Sequence, residues 1–166
     1  MTENKTLEIL KQAILLEKRG RAFYLTAANQ AKNEAVKSFF QTMADEEKHH
    51  MEILAEHLKS FSTSNTFSPG DYDSMSSKAP EFVLTDDVKA KISAAGFEAA
   101  AISAAMLMED RAIKLYAARA EAAEDTNEKA LYRYLTSWER DHLTFLSDLD
   151  KELTENIWHD NNFWPF

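Results

Sequence analysis

Two long stretches of the chain, about residues 6–60 and 97–153, contain almost no helix-breaking residues and are rich in Ala, Leu, Glu, Lys and Met. Their apolar residues recur at intervals of three and four, which is typical of amphipathic helices. Asn33 and Asp125 stand where each stretch turns polar, and both residue types cap a following helix. Glu128 completes a capping-box pattern with Asp125. The sequence therefore predicts an all-α fold built from two helical hairpins.

The two stretches are related by an internal repeat with an offset of 92 residues. The matched pairs are Glu17/Glu109, Arg19/Arg111, Tyr24/Tyr116, Asn33/Asp125, Glu47/Glu139, His50/His142 and Leu54/Leu146. We expect helices near 6–32 and 34–60 in the first hairpin, and near 97–124 and 127–153 in the second. A pseudo-two-fold axis relating the hairpins makes the second and third long helices parallel, so a long crossover must connect them.

The crossover covers about residues 61–96 and contains two kinds of sequence. Ser62 to Pro80 is full of Ser, Pro, Gly and Asp, a composition typical of a loop. This loop either covers one end of the bundle or is a mobile connection, and we favour the mobile connection. Thr85 is expected to start a short helix that Gly96 ends or bends before the third long helix begins.

A short tail over residues 154–166 follows the second hairpin. Its apolar residues are Trp158, Phe163, Trp164 and Phe166. This patch is too short for a membrane span, and we favour packing against the protein itself or a neighbouring subunit over docking into a partner.

The composition excludes several classes of function. The 166 residues are 45% apolar, which suits one domain over 1–166. Because the sequence includes no cysteine, thiolate catalysis and Cys-ligated metals within the chain are excluded. With a net charge of −9, the chain is not expected to bind nucleic acid phosphates or anionic membrane surfaces. No apolar run approaches the roughly 18 residues that span a bilayer, and Met1 to Lys11 lacks the order of a signal peptide. We expect a cytoplasmic protein.

Each hairpin carries three residues of metal-binding type on otherwise apolar helix faces. The second and fourth long helices each place a Glu-x-x-His pair on the apolar stripe, and the first and third each place one acid there at mid-length. The six residues are Glu17, Glu47, His50, Glu109, Glu139 and His142. The same separation of 30 residues between the two glutamates of each hairpin brings the residues to similar depth.

Four carboxylates inside a bundle require compensation, because burying each ion costs several kcal/mol. Two divalent cations would balance the charge of the four glutamates, while neutral histidines add none. Mixed oxygen and nitrogen ligands suit iron or manganese better than structural zinc. Carboxylates that hold two metals about 3.5–4 Å apart leave room for a bridging oxygen species and two-electron chemistry.

The segments AILLEKRGRAFY, MADEEKHHMEIL, AMLMEDRAIKLY and LTSWERDHLTFL resemble the four helix signatures of the rubrerythrin-like branch of ferritin-like di-iron proteins. The resemblance covers nearly the whole chain outside 61–95 and the tail, and it implies a ferritin-like four-helix bundle. It also implies that the six residues are metal ligands, with Glu47 and Glu139 bridging two ions. One Glu-x-x-His is common by chance, but two in register, each with an upstream Glu, are a specific signal.

The resemblance further implies a function. It points to a non-haem di-iron oxidoreductase that reduces O2 or H2O2. Its two iron ions would cycle between Fe2+ and oxo- or hydroxo-bridged Fe3+. Manganese suits the same ligands. Rubrerythrins proper add a rubredoxin-like iron domain with four cysteines, and this sequence has none. Electrons would therefore come from a separate donor, such as a rubredoxin-type protein. A homodimer is what the resemblance implies for assembly.

One departure from the family pattern keeps other functions open. Rubrerythrins usually carry a second Glu one turn after the ligand of the third helix, and here that position is Ala112. Because that Glu is tied to their peroxidase redox switch, its absence weakens the inference of peroxidase activity. The first alternative is an iron-handling ferroxidase that oxidises incoming Fe2+. The second is a metal-free helical interaction module that keeps the ancestral fold. Separately, Glu17 and Glu109 could be solvated, salt-bridged helix residues rather than ligands.

The second long helix also contains a rival pair, Glu46 and His49, rotated about 100° from the main apolar stripe. Because that face includes Thr42 rather than the apolar residues, we favour Glu47 and His50 as the ligands.

Two further repeated pairs have competing interpretations. Tyr24 and Tyr116 lie about two turns beyond the acids of their helices and are either ordinary core residues or donors to a ligand carboxylate. Arg19 and Arg111 lie off the apolar stripe, where we expect surface ion pairs with nearby acids.

Overall fold

The structure is a computed structural model that describes residues 3–75, 77, 85–92 and 96–159. In chain order the helices are α1 (Glu3–Gln30), α2 (Glu34–Ser64), α3 (Asp86–Lys91), α4 (Phe97–Ala122) and α5 (Thr126–His159). Within the described residues no strand occurs. The predicted all-α fold and its four long helices are confirmed, although α5 continues past its expected end at 153.

Both predicted cap residues begin their helices as expected. Asn33 Oδ1 accepts hydrogen bonds from the backbone N–H of Ala35 at 2.9 Å and of Val36 at 3.4 Å. Asp125 Oδ1 accepts from the N–H groups of Asn127 at 2.8 Å and Glu128 at 2.9 Å. These bonds satisfy donors that have no partner within the helix.

The Glu128 side chain departs from the capping-box expectation. Its carboxylate accepts a hydrogen bond from Arg119 Nε at 2.6 Å, and both side chains are buried. A buried guanidinium needs an anionic partner, so the last turn of α4 is tied to the first turn of α5.

The crossover is shorter and better packed than expected. Because α2 runs to Ser64, the first residues of the predicted loop are helical, and Asn65 ends the helix in the left-handed conformation with φ of 55°. Phe67 is buried, and its carbonyl accepts from Asn127 Nδ2 at 3.1 Å. The Tyr72 ring stacks on Tyr134 of α5 with centroids 4.7 Å apart. These contacts hold Phe67 and Tyr72 against α5, the mobility of the segment stays a prediction, and residues 76 and 78–84 lie outside the described residues.

The predicted short helix is α3, whose start is marked by a bond from Lys89 N to the Thr85 carbonyl at 3.0 Å. Gly96 stands directly before α4 as its N-cap rather than at the end of α3. The structure describes the backbone of the aromatic tail only to His159, so the side chain of Trp158 and all of Phe163, Trp164 and Phe166 lie outside the described part of the chain.

Packing places α1 along α2 and α4 along α5, and α1 also contacts α4. The interior contains two apolar clusters, one around Tyr24, Phe40 and Leu146 and the other around Leu10 and Leu135. Both α2 and α4 run from the first cluster toward the second, so these helices are parallel, as the repeat predicts. The six candidate ligands predicted from the sequence, four glutamates and two histidines, form a polar layer between the two apolar clusters. No helix within the described ranges is long and apolar enough to cross a membrane.

Candidate metal centre

The six sequence-predicted ligands meet in this polar layer. Each comes from the middle of a long helix, and none exposes more than 4% of its surface. The six are Glu17, Glu47, His50, Glu109, Glu139 and His142. Placing four carboxyl groups and two imidazoles in a dry interior is costly unless each is compensated.

The six residues form two overlapping groups. In each group, one ligand atom per residue lies within 4.8 Å of the others. The first group is Glu17, Glu47, His50 and Glu139, and the second is Glu47, Glu109, Glu139 and His142. Glu47 and Glu139 belong to both groups, whereas each of the other residues belongs to one. This is the arrangement in which two cations could share a pair of carboxylates.

Glu139 lies between the two imidazoles and presents one oxygen to each. Its Oε1 is 2.9 Å from His50 Nδ1, and its Oε2 is 3.1 Å from His142 Nδ1. His50 Nδ1 is also 3.3 Å from Glu17 Oε2, and His142 Nδ1 is 3.6 Å from Glu109 Oε1. Both histidines therefore turn the same ring nitrogen toward the carboxylates.

Several of these buried atoms lie close to one another but make no hydrogen bond of acceptable geometry among the described residues. They include Glu139 Oε1 and Oε2, Glu47 Oε1 and His142 Nδ1. Buried polar atoms are almost always satisfied, so a group of unsatisfied atoms that face one another requires an explanation. Cations would be ligated by all of them at once, so the residues present fit a two-metal centre.

The crowded layer changes the proton affinities of its members. Burial and then repulsion by neighbouring carboxylates raise the pKa of Glu47 well above its ordinary value and that of Glu109 to about 8. Burial alone would lower the pKa of His50, but the carboxylates led by Glu139 raise it to about 10. The pKa of His142 is raised in the same way. Metal ions would have to displace these protons, so metal affinity should fall as pH falls.

Tyr24 and Tyr116 donate hydrogen bonds across the pseudo-two-fold axis. The Tyr24 hydroxyl donates to Glu109 Oε1, and the Tyr116 hydroxyl donates to Glu17 Oε1. Both phenols are fully buried. Of the two interpretations open from the sequence, the structure therefore has the tyrosines as donors to the carboxylates of the opposite hairpin.

Glu46 has a role that the sequence analysis missed. Its carboxylate lies 2.5 Å from His142 Nε2, and it also accepts from Trp138 Nε1 at 2.7 Å and Ser77 Oγ at 2.8 Å. Burial alone would raise its pKa, but these bonds lower it to about 2. Glu46 thus orients a histidine from behind and is not part of a rival pair with His49, which is only half-buried. The available signal was the repeat, which aligns Glu46 with Trp138.

The expected surface ion pairs of Arg19 and Arg111 do not form within the described part of the chain. Both side chains are exposed, and both line a small cavity of about 160 Å³ that reaches Glu17, Glu47 and Glu109.

Comparison with known proteins gives two positive findings. The family model described as Rubrerythrin matches residues 8–150. The solved structure of a hypothetical protein from Pyrococcus furiosus is similar to this chain, with a TM-score of 0.64 and 24% sequence identity over 90% of each chain. At that identity the likeness shows a shared helical fold. No curated protein sequence matches this chain.

Proposed function

This chain belongs to the rubrerythrin family, and on that premise we propose that it is a non-haem di-iron oxidoreductase. It reduces O2 or H2O2 with electrons from a separate donor. The observation that carries the proposal is the presence of two overlapping ligand groups that share Glu47 and Glu139. Structural single-metal sites do not need shared carboxylates, whereas a pair of ions held close together does.

Charge and ligand chemistry support the same proposal. Four glutamates offset the charge of two divalent ions, and the two imidazoles ligate as neutral groups. The mixed oxygen and nitrogen ligand set suits iron, with manganese as the alternative metal. Two iron ions held in this way supply the two electrons that an oxidant accepts.

The chain's own residues bind and hold the centre. Glu47 and Glu139 would be shared by the two ions, while Glu17 with His50 and Glu109 with His142 would each complete one metal position. The tyrosine hydroxyls and Glu46 fix the orientation of the outer ligands. The apolar clusters on either side of the site limit the access of water along the bundle axis. This sequence has no cysteine to hold a further iron centre, so its electrons are supplied from outside it.

The first experiment is elemental analysis of protein prepared without oxygen, together with optical spectra before and after peroxide is added. We expect about two iron ions per chain and a spectral change that a reductant reverses. The matched control is Glu139→Gln, which alters a carboxylate common to both groups and should lose the bound metal. One zinc ion per chain with no spectral response would contradict the proposal. Continued uptake far beyond two ions per chain would instead assign the protein to iron handling.

A further inference from the structure

The cavity of about 160 Å³ lies between α1 and α4 and is built symmetrically. Its lining includes four pairs that the repeat aligns: Leu16 with Met108, Glu17 with Glu109, Arg19 with Arg111, and Gly20 with Ala112. The cavity therefore lies on the pseudo-two-fold axis. It extends from the exposed arginines to the carboxylates of the centre.

Small residues keep the inner part of this cavity open. Gly20 lies directly over the shared carboxylate, and a Cβ atom added there would be 3.1 Å from Glu47 Oε2. Across the axis, the cavity is lined by the single methyl group of Ala112. Since one water takes up roughly 30 Å³ in the liquid, a cavity of this size holds a ligand of a few atoms. Nucleotides and other large anions would be excluded by size.

The outer part of the cavity is positively charged. Neither Arg19 nor Arg111 forms an ion pair within the described residues, so both guanidinium groups keep their donors available. With two divalent ions present, the charges of the four glutamates are offset, and the two arginines are then the only uncompensated charges among the residues that line the cavity. Their field attracts small anions and repels incoming metal cations. Guanidinium groups also bind anions through paired N–H donors.

We propose that this cavity is a binding site for small anionic ligands of the metal centre, with Arg19 and Arg111 as the recognition groups. The inference rests on the proposed function and deepens it. O2 and H2O2 are neutral when they enter between α1 and α4, so the arginine pair acts on the negative charge that develops as they are reduced. Incoming Fe2+ is disfavoured on the same path, which separates oxidant reduction from ferroxidase uptake.

The test measures azide binding to the oxidised, metal-loaded protein by optical titration. The variant Arg19→Gln/Arg111→Gln should raise the Kd of azide about tenfold, because two charge-assisted contacts are lost. The matched control is Arg133→Gln/Arg140→Gln, which removes the same charge from exposed arginines of α5 that do not line the cavity. Its Kd should change by less than about twofold, since exposed charges at a distance are screened.

Two further measurements separate charge recognition from damage to the site. Nitric oxide is neutral, so its affinity for the reduced protein should be the same in the cavity variant and the wild type. Arg19→Lys/Arg111→Lys keeps both charges and should bind azide within about threefold of the wild type. An unchanged azide Kd in the Gln variant, or equal losses in the control pair, would overturn the inference alone. Wild-type protein that binds no metal would overturn the proposed function, and this inference with it.

Discussion

The two hairpins supply equivalent sets of buried glutamates and histidines, but the surroundings of the two histidines differ. In the second hairpin, His142 Nε2 is held by Glu46, which is itself fixed by Trp138 and Ser77. In the first, His50 Nε2 is buried with no hydrogen-bond partner among the described residues. The His50 ring instead packs edge-on against Trp138 with centroids 5.0 Å apart. One imidazole is anchored by a carboxylate, and the other is held by packing.

This difference arises at a single position of the repeat. Glu46 in the first hairpin aligns with Trp138 in the second, and the two side chains meet through a 2.7 Å hydrogen bond. Each of the two side chains therefore serves the histidine of the other hairpin: the Glu46 carboxylate lies behind His142, and the Trp138 indole packs on His50. A symmetric set of ligands can therefore have two unequal metal positions, because a carboxylate behind a histidine makes it a better ligand.

The largest expected effect is on metal content, which should depend on whether the substituted residue belongs to both ligand groups or to one. Glu139→Ala should remove both bound metals, because Glu139 belongs to both ligand groups. Glu17→Ala and Glu109→Ala should each leave about half of the metal, since each belongs to one group. Elemental analysis of the three purified variants provides the measurement. Equal metal loss in all three would mean that the two hairpins do not form separable positions.

The next effect sharpens the contrast between the two histidines. Glu46→Gln keeps the size of the side chain but removes its charge, and it should weaken metal binding beside His142 by about 10–100-fold. Stepwise metal titration should show one weakened and one unchanged Kd. Glu52→Gln on the exposed face of α2 is the control and should change neither Kd. Equal weakening of both positions would contradict the assignment of Glu46 to one histidine.

The pH dependence of stability tests the role of protons in both hairpins. The raised pKa of His50, about 10, stabilises the metal-free protein fully below pH 6.5, and this contribution is lost as pH rises toward 10. Glu109, with a pKa of about 8, acts in the same direction, because its folded state favours the protonated form. The Tm of metal-free protein should fall by several degrees between pH 6 and pH 9. Metal-loaded protein should lack this decrease, and a rise in the metal-free Tm would contradict the prediction.

The crossed tyrosines should have smaller effects, each on the opposite hairpin. Tyr24→Phe should weaken the metal position of Glu109, and Tyr116→Phe that of Glu17. Each should lower the free energy of unfolding by about 0.5–1.5 kcal/mol, the net value of a typical hydrogen bond. Tyr132→Phe is the control, because this buried hydroxyl has no hydrogen-bond partner among the described residues. Urea denaturation gives the energies, and a larger loss in the control would contradict the assignment.

The smallest expected effect is on the free energy of unfolding when either of the two helix caps is removed. Asn33→Ala and Asp125→Ala should each lower the free energy of unfolding by about 1 kcal/mol, because each removes a side-chain acceptor at a helix start. The metal content should stay the same, since neither residue contacts the polar layer. Asn33→Asp keeps the acceptor and should be nearly neutral in urea denaturation. Loss of metal in a cap variant would show that the hairpin turns position the ligands more strongly than we infer.

The fold and the meeting of the six ligands follow from patterns that sequence reports directly. Helical periodicity assigns Glu47 and His50 to the buried face of α2, and the repeat places Glu139 and His142 at the same depth. Asn33 and Asp125 were also predictable, because capping depends only on neighbouring backbone groups.

What the sequence did not predict depends on contacts between elements. The face of Glu46 is known from periodicity, but its use depends on Trp138 and on Ser77, which reaches it from the crossover. Helix periodicity gives no information about which distant segment covers a given face. The cavity that Arg19 and Arg111 line was missed for the same reason. It forms only when α1 packs against α4, whereas the sequence shows only that both arginines lie off the apolar stripe.

The tyrosine contacts also bear on how such a bundle could arise. Tyr24 supports Glu109 of the opposite hairpin, and Tyr116 supports Glu17, so a lone hairpin lacks the hydroxyl that would fix its own acid. Two identical copies of an ancestral hairpin, associated about an exact two-fold axis, would supply every such group. Gene duplication and fusion would then free the aligned positions 46 and 138 to evolve separately, which no homodimeric ancestor could do.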